Sequence, residues 1–181
     1  MTTFRYWMLR WFSKPSWDRS LYQVIALEKP KSILEIGLAS VERTLNLVQI
    51  AQRASPDIEF KYCGIDLFDA RSPGGQPVKL KDAHCQLHKT KAKVRLMPGE
   101  FHDCLPRYAN QVGKHDLVII TTMEDALIFA PAWYFVPRML ETSGLVLLRD
   151  LSRKEQPYKI LSPEKVARLA AEQEPGQRKA A

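Results

Sequence analysis

Residues Lys31 to Thr44 read KSILEIGLASVERT, and their reading decides the fold. The run Ile33 to Ile36 is apolar apart from Glu35, stops at Gly37, and gives way to a segment with helical periodicity. A buried parallel strand, a tight glycine turn and a helix opening at the strand's carboxyl end produce that order. The helix is expected over about Val41 to Ala54, with Leu45, Val48 and Ile50 facing inward and Pro56 closing it. A second apolar run, Tyr62-Cys63-Gly64-Ile65, follows and ends in Asp66. Two such units in succession can hold a nucleoside, the backbone turn taking its polar end and the carboxylate its ribose hydroxyls.

The alternation continues outward in both directions. Strands are expected near Phe60–Ile65, Lys93–Met97, Asp116–Thr121 and Leu145–Leu148, with helices near Val78–Lys89 and Asp103–Asn110 between them. Upstream, Ser16 or Asp18 can cap a helix running to about Glu28, whose Leu21, Val24 and Ile25 make an apolar stripe. The stretch Asp125–Leu140 reads as helical but contains Pro131 and Pro137, which predicts a kink or a split. Its Trp133, Phe135, Val136, Met139 and Leu140 are expected to cover the sheet, and Ser143-Gly144 reads as a helix stop. Ser162-Pro163-Glu164 starts a last helix that fades near Gln173. The irregular segment Phe68 to Pro77 falls at the carboxyl edge of the sheet, where it is either a lid or a plain long loop.

Five segments in order, ILEIGLAS, GIDLFD, LMPGEF, HDLVIITT and SGLVLLRD, resemble the successive signatures of class I S-adenosylmethionine-dependent methyltransferases over Ser32 to Asp150. The resemblance implies an α/β, Rossmann-like, doubly wound and mostly parallel sheet of order 3-2-1-4-5, with S-adenosylmethionine as cofactor. It also implies a cofactor site on this chain's own residues. Gly37, Ala39 and Ser40 pass close to the methionine end, and Glu35 orients that loop or the amino group. Asp66, followed by Leu67, takes the ribose hydroxyls. Glu100 faces the exocyclic amine, Phe101 supplies an apolar edge, and Thr121 ends the fourth strand beside them.

The chain also departs from the pattern. The family continues E-x-G-x-G-x-G, and Ala39 and Val41 stand where its second and third glycines belong. Ala39 is small enough for a ligand to approach the backbone, whereas β-branched Val41 tolerates a narrow backbone range. Many relatives acting on small hydroxylated molecules carry a metal-binding Asp after strand four. Here Thr121 and Thr122 stand there, and the following Met123, Glu124 and Asp125 read as a helix start, so no metal is expected. The family's closing strands six and seven are not expected either, which leaves strand five as an edge needing cover from the last helix, the N-terminal arm or another subunit.

Composition bounds the rest. The 181 residues divide into an aromatic and basic arm (1–17), a methyltransferase-like domain (18–173) and a flexible tail (174–181). With 45% hydrophobic and 26% charged residues the chain reads as globular, without an apolar run of membrane-spanning length or a signal peptide. Cys63, Cys85 and Cys104 form no C-x-x-C pair and read as reduced thiols, which places the protein in the cytoplasm. His84 and His88 share a helix face, but the lysines around them favour a solvated basic surface over a metal site.

The net charge of +7 favours acidic partners, although a lysine-rich solvated surface is the preferred reading over a nucleic-acid site. In the arm, Phe4, Tyr6, Trp7, Trp11, Phe12 and Trp17 alternate with Arg5, Arg10 and Lys14. Packing on the domain or on a second subunit of a homo-oligomer is the favoured reading, with a membrane surface or nucleic acid as the other two. Two functions remain: a methyltransferase with an unidentified acceptor, and a non-catalytic binding or assembly module on the same fold. His102 and His115 are candidates for a general base by residue type alone.

Overall fold

β1 (Ser32–Ile36) is the central strand of the computed structural model, which describes residues 1–72, 77–121, 129–150 and 158–173. All five of its residues are buried, which is why it reads as an apolar run interrupted within Ile33 to Ile36 by Glu35 alone. Its start is fixed by Asp116, whose Oδ2 accepts from the Lys31 and Ser32 N–H groups at 2.8 and 3.0 Å and from Ser32 Oγ at 3.0 Å. β2 (Lys61–Asp66) and β4 (His115–Ile120) flank it in parallel, with β3 (Lys93–Pro98) outside β2 and β5 (Leu140–Arg149) outside β4. The sheet therefore has the expected order 3-2-1-4-5.

One expectation is corrected at the edge. β5 is not left open: β6 (Tyr158–Leu161) pairs antiparallel with it, Val146 opposite Leu161 and Arg149 opposite Tyr158. Four residues with Leu161 buried and Ile160 more than half exposed are too few to show a period.

Alternate residues feed two cores. Ile33, Tyr62, Leu117, Ile119 and Leu147 face α2 (Ser16–Glu28) and α3 (Val41–Ala54), with Leu87 of α4 (Leu80–His88) closing that layer. Leu34, Ile36, Cys63, Ile65, Val118, Ile120 and Val146 face α5 (Phe101–Tyr108) and α6 (Pro163–Ala171) on the other side. The proline-bearing stretch joins this second layer as two 3-10 turns, Ala130–Tyr134 and Val136–Met139, each with its proline in the first turn. Trp133, Val136, Met139 and Leu140 are buried there, as expected. α1 (Thr3–Phe12) turns the N-terminal arm into a helix lying against α2 and α3.

Local corrections have local causes. Pro15 occupies the cap position of α2, and neither Ser16 nor Asp18 caps it, because Asp18 is drawn toward Arg43. α4 starts at Leu80 and not at Val78, which is buried with Leu38 and Phe68. Ser143-Gly144 lies inside β5 and stops no helix. His115 pairs with Leu140 and Leu117 with Leu145, so Glu141 to Gly144 together face the single residue Asp116. A Cβ on Gly144 would come within 2.7 Å of Leu140 Cδ1, 3.0 Å of the Glu141 carbonyl and 3.1 Å of the Asp116 carbonyl. Gly144→Ala is therefore expected to destabilise the chain by about 1–3 kcal/mol in chemical denaturation. A wild-type midpoint would mean that the irregular pairing relaxes freely.

Among the described residues no helix is long and apolar enough to cross a membrane. Thr122, the Met123-Glu124-Asp125 helix start, the loop centre at Pro73, Gly74 and Gly75, and the tail 174–181 lie outside the described residues.

Candidate functional site

The carboxyl ends of the strands converge on one cleft of about 480 Å³. Gly37 ends β1 with φ 81°, a conformation that side chains resist, and its N–H donates to the Ile65 carbonyl at 2.8 Å. The chain then crosses β2, where Leu38 N–H donates to Asp66 Oδ2 at 2.7 Å. It enters α3 through Ser40, whose Oγ caps the helix by accepting from Arg43 N–H at 3.1 Å. Val41 is thus the first helical residue. The described non-glycine residues with positive φ are Lys29, Phe68 and Lys91, so neither Ala39 nor Val41 needs the freedom of glycine. The narrow range of Val41 is the helical range it occupies.

Seven of the nine residues singled out from the sequence line this cleft: Gly37, Ala39, Asp66, Leu67, Glu100, Phe101 and Thr121. Thr121 hydrogen-bonds its backbone N–H to the Ile36 carbonyl at 2.9 Å and its hydroxyl to the Gly37 carbonyl, tying the end of β4 to the glycine turn. Phe101 is buried at the head of α5 against Phe129, with ring centroids 5.0 Å apart, while the Glu100 side chain is partly exposed. Gly99 N–H donates to the Asp66 carbonyl at 2.9 Å and continues the ladder into the wall of the cleft.

The Asp66 carboxylate is already engaged. Oδ1 accepts from Phe68 N–H at 2.7 Å, an Asx turn that holds Phe68 in a left-handed conformation with its ring buried. Arg71 then grips both oxygens, Nε to Oδ1 at 2.8 Å and Nη2 to Oδ2 at 2.6 Å, and also reaches the Leu38 carbonyl. A planar guanidinium matches a carboxylate in this fork geometry. The group that the sequence assigns to ribose hydroxyls therefore faces a cation in this structure. Sequence reading placed Arg71 in a loop and missed this role. Its signal is an arginine five residues after the acidic strand end. Arg149, at the end of β5, also lines the cleft without having been singled out from the sequence, and its guanidinium lies 5.3 Å from the Trp17 ring centroid.

Glu35 and Ser40 do not line the cleft. Ser40 spends its hydroxyl on the α3 cap. Glu35 points to the opposite face of β1, fully buried beneath α3, and accepts from Arg43 Nη1 at 3.1 Å, Thr44 Oγ1 at 2.9 Å and Tyr62 Oη at 2.7 Å. Arg43 Nη2 also reaches the Tyr158 hydroxyl on β6, and its Nε lies 3.0 Å from Asp18 Oδ1 without the alignment of a hydrogen bond. Burial pushes the Glu35 carboxyl up, against the pull of the Arg43 charge. It also pushes the Tyr62 hydroxyl well up, so this tyrosine stays a donor. The network ties β1, β2, β6, α2 and α3 together behind the cleft.

The histidines lie elsewhere. His115 opens β4 at the far end of the sheet, and burial lowers its pKa toward the neutral imidazole. His102 is half-exposed, with Nδ1 4.0 Å from Glu100 Oε2. His84 and His88 bring their Nε2 atoms to 3.0 Å on an exposed face, and among the described residues no three His, Cys, Asp or Glu side chains gather as a metal site. Burial holds the Cys63 thiol up at about 12 and keeps it unreactive, and Cys85 is the exposed thiol.

No family model matches the chain, and neither does any curated protein. Solved structures do share its fold. An O-methyltransferase from Bacillus cereus in complex with SAH has a TM-score of 0.56 at 14% identity, over 88% of this chain and 69% of that one. TomG from Streptomyces achromogenes, an O-methyltransferase of tomaymycin synthesis in complex with SAM, has a TM-score of 0.54 at 16% identity, over 88% and 68%. Cofactor-bound Rv0187 from MTB has a TM-score of 0.52 at 19% identity, over 78% of this chain and 58% of its own. At such identities the likeness defines the architecture: the chain has the Rossmann-like methyltransferase fold.

Proposed function

We propose that the chain is an S-adenosylmethionine-dependent methyltransferase whose cofactor lies in the cleft at the carboxyl ends of the strands. The observation that carries this reading is that Gly37, Asp66, Glu100, Phe101 and Thr121, from four successive strand ends, border one cavity of cofactor size. The residues fit the group: a bare backbone turn at Gly37, a carboxylate at Asp66 and a buried aromatic at Phe101. When bound, the cofactor supplies a methyl group made electrophilic by its sulfonium. This chain's part is to bind it, hold the acceptor in line and exclude water. The Gly37–Ala39 backbone takes the methionine end, Asp66 the ribose hydroxyls and Phe101 one edge of the adenine, with Glu100 toward its amine. Arg71 has to release Asp66 for the hydroxyls to reach it.

A second reading, a non-catalytic module on the same fold, is favoured by that same Arg71 fork, which saturates the carboxylate. Calorimetric titration of wild type and Arg71→Ala with S-adenosylmethionine and S-adenosylhomocysteine separates the two. The enzyme reading expects micromolar binding by wild type and binding about tenfold tighter by Arg71→Ala, because the competing cation is gone. Binding by Arg71→Ala alone would favour the module. No binding by either folded protein sinks the cofactor assignment.

A further inference from the structure

α1 carries two apolar faces, and the fold covers one. Tyr6 and Leu9 pack inward on the core beneath α2 and α3. Three polar ties fix the roll of the helix: Arg5 Nη2 to Asn46 Oδ1 at 3.1 Å, Gln23 Nε2 to the Arg10 carbonyl at 3.0 Å, and Arg53 Nη2 to Thr3 Oγ1 at 3.3 Å. Phe4, Trp7, Met8, Trp11 and Phe12 are left outward, 76, 54, 43, 46 and 71% exposed. Their three- and four-residue spacing makes one stripe, along which Trp7 and Trp11 stack with centroids 6.2 Å apart. With aromatic side chains of roughly 150–250 Å² each, the patch is on the order of 600 Å², the top of the range that monomers expose. The fold thus holds a large apolar stripe rigidly toward solvent.

Charge says what covers it. Residues 1–17 contain Arg5, Arg10 and Lys14 and no acidic residue, on a chain of net charge +7. At the helical pitch, Arg5 and Arg10 fall on the two borders of the stripe, between it and the docked face. We propose that α1 docks the protein on an anionic lipid bilayer surface. The helix lies in the interface plane, with the stripe below the headgroups and the arginines among them. A second copy fits less well, because pairing two stripes sets two basic rims against each other, whereas anionic headgroups neutralise them. Base stacking fits less well too, because it uses separated aromatic faces, and here the two tryptophans stack on each other within a stripe that includes Met8. The proposal stands independently of the cofactor cleft.

The test is sedimentation of the full chain with vesicles of phosphatidylcholine alone and of phosphatidylcholine mixed with phosphatidylglycerol, alongside Trp7→Gln/Trp11→Gln. Both tryptophans are outward, so the variant is expected to keep the wild-type thermal midpoint. Wild type should pellet with the mixed vesicles, with a blue shift of tryptophan emission, and the variant's partitioning should fall by about tenfold or more. Four results overturn the proposal: no pelleting with anionic vesicles, full binding by the variant, a dimer dispersed by the substitutions without lipid binding, or binding of a single-stranded oligonucleotide without lipid binding.

Discussion

Replacing Arg43 with methionine is expected to lower stability by about 3–5 kcal/mol, the loss that follows when one member of a buried ion pair leaves its partner stranded. In a chain of this length the thermal midpoint then falls by about 10 °C. Arg43 is 5% exposed, and its guanidinium lies between two carboxylates, Glu35 on β1 and Asp18 on α2. Methionine fills most of the arginine stem, so the loss measures charge more than cavity. The pH dependence gives a signature. Burial raises both carboxyl pKa values above the ordinary range, with Arg43 opposing it in each. A raised carboxyl pKa means that the native state holds a proton the unfolded chain has released. Its contribution to stability is present below the usual 4.5 of Glu35 and is lost as pH rises through the higher folded value. Removing the opposing cation pushes both carboxyls further up, so Arg43→Met should lose more at pH 8 than at pH 5. Glu35→Gln leaves Arg43 paired with Asp18, so it should lose less and decline less steeply above pH 5. Urea denaturation of the three proteins across that range decides it. Equal losses for Arg43→Met at all pH values would mean that the carboxylates do not share the cation.

That network also marks where the sequence stops being legible. The strand–turn–helix at Lys31 to Thr44 is readable because β1 is buried on both faces and α3 follows with its own period. Seven of the cleft-lining residues are readable because they lie at or just beyond strand ends, and in this topology strand ends meet. Arg43 is different. Periodicity assigns a charged residue in the first turn of a helix to solvent, and only the distant Asp18, Glu35 and Tyr158 make its burial tolerable. Glu35 misleads in the same way: its place before Gly37 suggests a role in the turn, while the pleat sends its side chain to the other face. β6 is four residues long and mixed, and Gly144 sits in an irregular pairing that only the neighbouring strand explains. What the glycine pattern suggested at Val41 is undone by geometry, since a helix N-terminus asks nothing unusual of it.

Asp66→Asn is expected to weaken S-adenosylmethionine binding by about 100-fold, the equivalent of one or two charge-assisted hydrogen bonds to the ribose. The substitution keeps size and one acceptor oxygen, so Phe68 N–H can retain its turn while the charge that attracts Arg71 is removed; the amide NH2 then faces Leu38 N–H, and that bond is lost. Asp66→Ala strands two buried donors, Leu38 N–H and Phe68 N–H, and should lower stability by about 2–4 kcal/mol besides. The two variants thus separate a ligand role from a structural one. If Asp66 serves only the Asx turn, Asn should bind the cofactor as wild type does while Ala melts early. If it serves the ribose, both lose binding, and Asn, which strands one donor where Ala strands two, loses less stability than Ala. Arg71→Ala moves in the opposite direction, toward tighter binding, because it frees the carboxylate that Asn neutralises. In the double variant the Arg71 substitution should bring no gain, since without the carboxylate there is no competition left to relieve. An unchanged tenfold gain in the double variant would show that Arg71 opposes the ligand through some part of the cleft other than Asp66. Calorimetry on wild type, the three single variants and the double variant therefore tests the central assignment at one carboxylate, whose partners among the described residues include Leu38, Phe68 and Arg71.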